Sequence, residues 1–348
     1  LSSALLFIIP VAVWLLEKSD SYAAFIPVVL MFLLFGTAVF FPVLKLLWIG
    51  SFLNQNNMGI QKIDDILYMD EIDEPALSRY PEDAHVEFRN VSFAYNTSTI
   101  LKEVSFTANP GTVTALVGPS GAGKSTIAML AARFWDIQDG EILIGNVPIK
   151  EIPTSVLMDN VALVFQDNML FFDTIEENIR MGNKSATFED VKRAACAAQC
   201  HEFIEALPDG YQTLVGEGGT YLSGGEMQRL ALARAILKDA PVILLDEATA
   251  FADPENEGKI LEAFSHLIKG KTVLVIAHRL GTITNADHIL YLDKGMITEK
   301  GTHEELLALH GAYAHMWKTY NRAKEWIIDR QIMLNSKKNE YEKTYSNH

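Results

Sequence analysis

The sequence predicts an α/β fold built around a phosphate-binding loop, with an all-α apolar segment ahead of it. Three observations predict this. The run Gly118-Pro119-Ser120-Gly121-Ala122-Gly123-Lys124-Ser125-Thr126 fits G-x-x-x-x-G-K-[ST] at every fixed position. The run Val242-Ile243-Leu244-Leu245-Asp246 is apolar and ends in a carboxylate, the pattern of a strand buried on both faces of a parallel sheet. Between Tyr22 and Ile49 Lys45 is the one charge. That stretch is long enough to cross a bilayer as a tilted helix.

Taken in chain order, Leu1–Leu16 is apolar, and Glu17-Ser21 is a short polar break before the Tyr22–Ile49 stretch. Together they predict a helical hairpin with a tight outer turn, Pro27 and Pro42 toward the ends of its second arm, and Lys45 and Trp48 at the cytoplasmic interface. A signal peptide would have a basic leading region, which is missing. A buried hairpin in a water-soluble body is the competing reading. The start on Leu and the abrupt apolar opening are expected of a fragment preceded by further membrane helices. From Phe52 to Met69 the pattern turns polar but stays periodic through Met58, Ile63, Ile66 and Leu67, so the helix is expected to continue into the cytosol. Acidic, Pro-punctuated segments follow at Asp70-Pro75 and Tyr80-Asp83 and mark a linker. The expected division is 1–70 membrane part, 71–84 linker, 85–320 catalytic domain and 321–348 polar extension.

The second domain opens with Val86, Phe88, Val91 and Phe93, whose spacing suggests strands. Thr112–Val117 predicts a buried strand ahead of the phosphate loop, and Ile127–Ala132 a helix behind it. In that context the glycines let backbone wrap phosphate oxygens, and N–H groups at the helix start point at the anion. Lys124 can reach the β- and γ-phosphates, and the Ser125 hydroxyl can hold Mg²⁺. Asp246 is placed to position the same ion, and Glu247, one residue on, to polarise an attacking water. Leu222-Ser223-Gly224-Gly225-Glu226-Met227-Gln228-Arg229 opens another helix, where Ser223 and free N–H groups can hold a second anion. One site does not need two phosphate elements. A head-to-tail dimer, with each nucleotide between the loop of one chain and the Ser-Gly-Gly element of the other, uses both. The competing reading of Ser223 is an ordinary helix N-cap.

Composition narrows the class. The net charge of −15 argues against a nucleic-acid surface, which needs an excess of Lys and Arg. Only Cys196 and Cys200 are present, so no disulfide framework is implied. Beside His201 they suggest a metal site less well than a pair of buried, reduced thiols in an Ala-rich helix.

The segment from about His85 to Tyr320 resembles the nucleotide-binding domain of ATP-binding-cassette (ABC) transporters, whose signature is LSGGQ or, as here, LSGGE. The resemblance implies a cassette with a helical subdomain and an antiparallel β subdomain. It implies ATP binding at Gly118, Ser120, Gly121, Gly123, Lys124, Ser125 and Thr126. Tyr95 would stack on adenine, while Ser223, Gly224, Gly225 and the D-loop Asp253 would come from across a dimer seam. It implies Gln166 as the Q-loop residue touching Mg²⁺ and water, and His278 as the switch histidine at the γ-phosphate. The catalytic set would then be Glu247, His278 and Gln166, and the metal set Ser125, Gln166 and Asp246.

Membrane helices on the same chain resemble the exporter-type half-transporter. That implies an ATPase working with a second half-transporter in a homo- or heterodimer, with a drug, lipid, peptide or siderophore as cargo, as a multi-pass protein of the plasma membrane with its cassette in the cytoplasm. Thr213–Gly219 resembles the exporter X-loop, with Gly218 where a charge is usual. Glu226 replaces the usual Gln, and Phe251 departs from the usual Ser-Ala-Leu-Asp. The run Ala248-Thr249-Ala250-Phe251-Ala252-Asp253-Pro254-Glu255-Asn256-Glu257 resembles a branch that includes siderophore transporters, some of them importers. The rival functions are a soluble cassette ATPase of DNA repair or translation and a degenerate regulatory half of a heterodimer. The apolar hairpin and the acid excess oppose the first. Glu247, Ser223 and His278 oppose the second.

Overall fold

The structure, a computed structural model, describes residues 13–14, 17–18, 22–68, 74–96, 98–165, 168–246, 254–277 and 283–322. Within residues 22–47 and at 254–257 many or all side chains fall outside that set. The chain divides into two compact units, Leu1–Glu71 and Ile72–His348.

The first unit is dominated by α1 (Tyr22–Leu67), one helix of 46 residues with Pro27 and Pro42 inside it. It runs without a break past Ile49 through the polar, periodic stretch, as the sequence predicts. The expected first arm of the hairpin lies almost wholly outside the described residues. Among the described residues no helix is long and apolar enough to cross a membrane. Much of the apolar stretch of α1 consists of residues whose side chains are outside that set.

The second unit is an α/β cassette. Its described strands are β1 (Val86–Tyr95), β2 (Ser98–Ala108), β3 (Val113–Val117), β4 (Asp139–Ile144), β5 (Val147–Pro148), β6 (Val161–Val164), β7 (Asp173–Thr174), β8 (Leu214–Val215), β9 (Val242–Asp246), β10 (Thr272–Ile276), β11 (His288–Asp293) and β12 (Met296–Gly301). The main sheet has the order β12-β11-β3-β10-β9-β6 and is parallel except for the β11–β12 pair. A second, antiparallel sheet has the order β2-β1-β4-β5.

The inner strands β3, β9 and β10 are buried on both faces, which is why they read as continuous apolar runs, whereas the edge strand β12 does not. Successive side chains alternate faces. Ala115, Val117, Ile243, Leu245, Val273 and Val275 pack into one core with Leu230, Ala233, Ile260 and Ala263. Leu116, Leu244, Leu274 and Ile276 pack into the other with Phe88, Leu101, Ile127 and Ile142. In β1 the apolar phase slips by one between Phe88 and Val91. The register shifts there against both neighbours, and Asn90 takes φ 48, so a bulge absorbs the extra residue.

The cassette's helices include α2 (Lys124–Ala131), α3 (Thr154–Asn160), α4 (Ile175–Arg180), α5 (Phe188–Ala197), α6 (His201–Glu205), α7 (Gly224–Lys238), α8 (Pro254–Ile268) and α9 (His303–Ala308). α4 to α7, with the small β7–β8 pair, form the helical subdomain. Its starts are fixed by local chemistry: Thr174 caps α4, and Thr187 with Asp190 closes a capping box on α5. The segment before β1 lies along the cassette. Thr154 N–H donates to Glu74 at 3.2 Å, Arg79 pairs with Glu151 at 2.8 Å, and Glu82 N–H donates to Gly145 at 3.3 Å.

The topology also sets where function can sit. β10 pairs in register with both β3 and β9, so Leu116, Ile276 and Asp246 lie side by side. The carboxyl ends of these strands therefore open onto one edge, where ligands bind in open parallel sheets.

Candidate functional site

The loop 118–123 joins β3 to α2 at that edge. Two of its glycines are required by geometry. Gly118 has φ 139, and a Cβ there would run into the carbonyl oxygen of Leu292. Gly123 has φ 101 and packs against the Leu101 side chain, which a Cβ would displace. Both conformations favour glycine over any residue with a side chain. Gly123 is also the N-cap of α2, so no side chain accepts from the first turn. Its N–H groups and the positive end of the helix dipole face the loop's interior, an arrangement suited to an anion. Ser120, Gly121 and Thr126 lie on the same loop and first turn.

Lys124 is 7% exposed and folds back over the loop. Its Nζ donates to the carbonyls of Gly118 at 2.9 Å and Pro119 at 2.8 Å. Burial lowers its pKa from the ordinary lysine value, and the Asp246 charge partly opposes that. Ser125 Oγ donates to Asp246 Oδ2 at 3.1 Å, although the two residues lie 121 positions apart. The β3–β10–β9 register brings them together, with β10 inserted between β9, which ends in Asp246, and β3, which leads through the loop to Ser125 on α2. A hydroxyl and a carboxylate are hard oxygen donors, the set that suits Mg²⁺. The residues present therefore fit a magnesium-bound phosphate.

Tyr95 ends β1 on the same side of α2. Its ring meets Trp135 edge-on at 5.3 Å and Phe93 at 4.8 Å, and its hydroxyl rests on Met129 Sδ at 3.7 Å. Trp135 is half exposed, so the cluster forms an aromatic ledge open to solvent.

Ser223 is the N-cap of α7, followed by Gly224 and Gly225 in its first turn. Its Oγ accepts from the Glu226 N–H at 3.4 Å, and the Glu226 carboxylate accepts from the Ser223 N–H at 2.8 Å and from its hydroxyl at 2.7 Å. Within one chain, then, Ser223 is occupied by its own capping box. The S-x-x-E spacing carries that signal in the sequence. Upstream, Gly216 to Thr220 lines a 370 Å³ groove with Leu170, Tyr221, Leu222 and Met227.

Four of the expected site residues, Gln166, Glu247, Asp253 and His278, lie outside the described residues. Their flanks are described. β6 ends just before Gln166, β9 just before Glu247, and β10 two residues before His278. The strands that precede Glu247 and His278 in the chain are thus neighbours.

Sequence reasoning missed a buried lock in the helical subdomain. Asn178 is fully buried on α4. Its Nδ2 donates to the carbonyls of Phe171 at 3.0 Å and Thr174 at 3.0 Å. Its Oδ1 accepts from Phe171 N–H at 3.0 Å and from Arg234 Nη2 at 3.2 Å. Arg234, on α7, also donates to the carbonyls of Asn178 at 2.8 Å and Met169 at 3.3 Å, and burial lowers its pKa. No local pattern announces a pair 56 residues apart.

The cysteine expectation needs correction. Cys200 is buried, its thiol pushed up to about 12 by burial, but Cys196 is exposed. Cys196 lies at the end of α5, whose buried positions are Val191, Ala194 and Ala195, so the helix turns this thiol to solvent. His201 Nδ1 sits 2.9 Å from the Tyr211 hydroxyl. Among the described residues no cluster could hold a metal ion through His, Cys, Asp and Glu alone.

Residues 101–250 match the family model described as ABC transporter. The chain is 44% identical over 275 residues to the ATP-dependent lipid A-core flippase of Desulfotalea psychrophila, covering 78% of this chain and 48% of that protein. It is 51% identical over 237 residues to the mycobactin import ATP-binding/permease protein IrtA of Mycobacterium tuberculosis, covering 68% of this chain and 28% of that one. It is 43% identical over 307 residues to ATP-binding cassette sub-family B member 6 of Xenopus tropicalis, covering 86% and 36%. Among solved structures, a bacterial Atm1-family ABC exporter with ATP bound aligns with a TM-score of 0.70 and 40% identity over 77% of this chain and 48% of that one. The chain spans about half or less of the length of these relatives.

Proposed function

We propose that this chain, whose cassette belongs to the ABC transporter family by its match over residues 101–250, is the ATP-hydrolysing part of an exporter-type membrane transporter. One observation carries the reading: Ser125 and Asp246 meet at 3.1 Å beside the buried Lys124, at the uncapped start of a helix. That is a prepared site for a phosphate chain with its divalent cation.

In this reading Lys124 leaves the Gly118 and Pro119 carbonyls for the β- and γ-phosphates, and the loop amides hold the remaining oxygens. The stacking partner of adenine is Tyr95. Ser125 and Asp246, with Gln166, would hold Mg²⁺, which when bound supplies positive charge against the phosphate oxygens. Glu247 accepts a proton from water as its oxygen attacks the γ-phosphorus, and the bond to the ADP oxygen breaks. The products are ADP and phosphate. His278 steadies the γ-phosphate. Ser223, Gly224, Gly225 and Asp253 of a second half-transporter close the site, so nucleotide binding joins two cassettes and hydrolysis releases them.

For the membrane part, Tyr22–Ile49 is the spanning segment, supported by its single charge, Lys45. At ~1.5 Å per residue it is about 42 Å long, enough for a tilted crossing. The cassette then stands on the cytoplasmic side, and its pairing rocks the helices. A siderophore cargo is supported by the 51% identity to the mycobactin import protein and by the Ala248–Glu257 run.

Magnesium-dependent ATPase measurement with two variants tests the reading. Lys124→Ala should lose nucleotide binding. Glu247→Gln should bind ATP, release almost no phosphate and accumulate as an ATP-bound pair. Unchanged ATP affinity in the first would remove the phosphate-loop assignment. Normal phosphate release from the second would remove Glu247 as the base.

A further inference from the structure

Glu226 is the one residue of the signature whose charge the proposed mechanism does not use. Its carboxylate takes two hydrogen bonds from Ser223, at 2.8 Å from the N–H and at 2.7 Å from the hydroxyl. A serine hydroxyl has one proton to give. It can donate to Glu226 of its own chain or to a phosphate on a second chain, not to both. Glu226 is half buried in the first turn of α7, and Gly224 beside it is exposed, so a phosphate meeting Ser223 comes close to the carboxylate. The positive end of the helix is already offset by that carboxylate, the usual stabilising partner at a helix start.

We propose that Glu226 is a positioning residue that brakes ATP-driven pairing: the capping box holds its carboxylate beside Ser223, and that negative charge opposes the docking on α7 of a nucleotide carried by a second chain. This rests on the reading of Ser223 as a phosphate contact across the seam. Glutamine can accept the same two hydrogen bonds through Oε1, so the cap survives without the charge. The difference is one negative charge beside the arriving anion. At an effective dielectric of about 20, with solvent screening at a half-open site, this shifts the pairing equilibrium about tenfold.

The experiment measures magnesium-ATP turnover of the full chain in detergent micelles as a function of ATP, for wild type and for Glu226→Gln, Glu226→Asp and Ser223→Ala, each with its melting temperature. Glu226→Gln should lower the half-saturating ATP concentration about tenfold, with maximal turnover and melting temperature little changed. A merely structural cap would not produce such a gain. Glu226→Asp keeps the charge and should not lower half-saturation. An unchanged or raised half-saturation in Glu226→Gln overturns the brake, and so does an equal gain in Glu226→Asp. Ser223→Ala separates the two readings. If it abolishes turnover while Glu226→Gln gains nothing, the brake fails and the seam contact stands. If it leaves turnover intact, the seam contact itself fails.

Discussion

Replacing Asn178 by alanine tests the lock in the helical subdomain. The side chain donates to Phe171 and Thr174 carbonyls at 3.0 Å each and more weakly to Asp173 at 3.4 Å. It accepts from Phe171 N–H at 3.0 Å and from Arg234 at 3.2 Å. A neutral hydrogen bond contributes about 1 kcal/mol net, and one to a charged group about 1.5–3 kcal/mol. Discounting the long bond, and allowing water to reach the exposed neighbour Phe171, the loss comes to about 3–4 kcal/mol. Arg234 loses only its bond to Oδ1 and keeps the carbonyls of residue 178 and Met169, so most of the loss falls on the Phe171 and Thr174 backbone groups that Asn178 had satisfied. For a domain of this size about 2–4 °C is lost per kcal/mol, so the melting temperature should fall by roughly 6–15 °C. Thermal unfolding of the full chain, followed by circular dichroism, checks this. Asn178→Asp should also destabilise, because a carboxylate gains Arg234 but faces the loop carbonyls as an acceptor. A melt within 1–2 °C of wild type for Asn178→Ala would refute the idea that this asparagine holds the 169–174 loop to α7.

Two further outcomes are expected at the phosphate loop. Gly118→Ala should weaken ATP binding at least about tenfold in equilibrium dialysis, because its φ of 139 and the Leu292 carbonyl leave no room for a Cβ. Binding equal to wild type would show that the loop adjusts freely. Lys124 sets a pH dependence. Its pKa is lowered by burial, so between that value and the ordinary 10.5 the unfolded chain holds more proton than the folded one, and stability rises with pH through that window. Phosphates bound to the amine raise its pKa again. ATP binding within that same window should therefore take up protons, measured by calorimetry in buffers of different ionisation enthalpy, and net release would contradict the assignment.

What could be read in the sequence follows the distance over which each feature is encoded. The strand ahead of the phosphate loop and the run ending at Asp246 were legible because burial on both faces leaves no polar alternation to confuse them. The slip in β1 was half legible. The spacing of Val86, Phe88, Val91 and Phe93 already breaks period two, but the residue that absorbs the break, Asn90, shows only in the backbone. The Ser223–Glu226 box was legible too, as S-x-x-E, yet the same letters fit both a cap and an anion site. Cys196 was misjudged because an Ala-rich helix has little amphipathic contrast to say which face turns outward. Asn178 and Arg234 could not be paired from sequence. Each is an ordinary polar residue until the fold removes water from around both.

The two helices to which the proposed reading assigns phosphate begin in opposite ways, and that difference implies an order of events. At α2 the N-cap is glycine, no side chain competes for the first-turn amides, and the lysine bonds only carbonyls it can exchange at small cost. At α7 the first turn is closed by its own serine and glutamate. A nucleotide meeting α2 displaces nothing from the helix, whereas one meeting α7 must overcome the carboxylate that the capping box holds there. On the proposed reading, ATP therefore binds each chain first at the loop around Lys124. The joining of two chains is the later and costlier step, and it is the step at which a single residue, Glu226, can set the threshold.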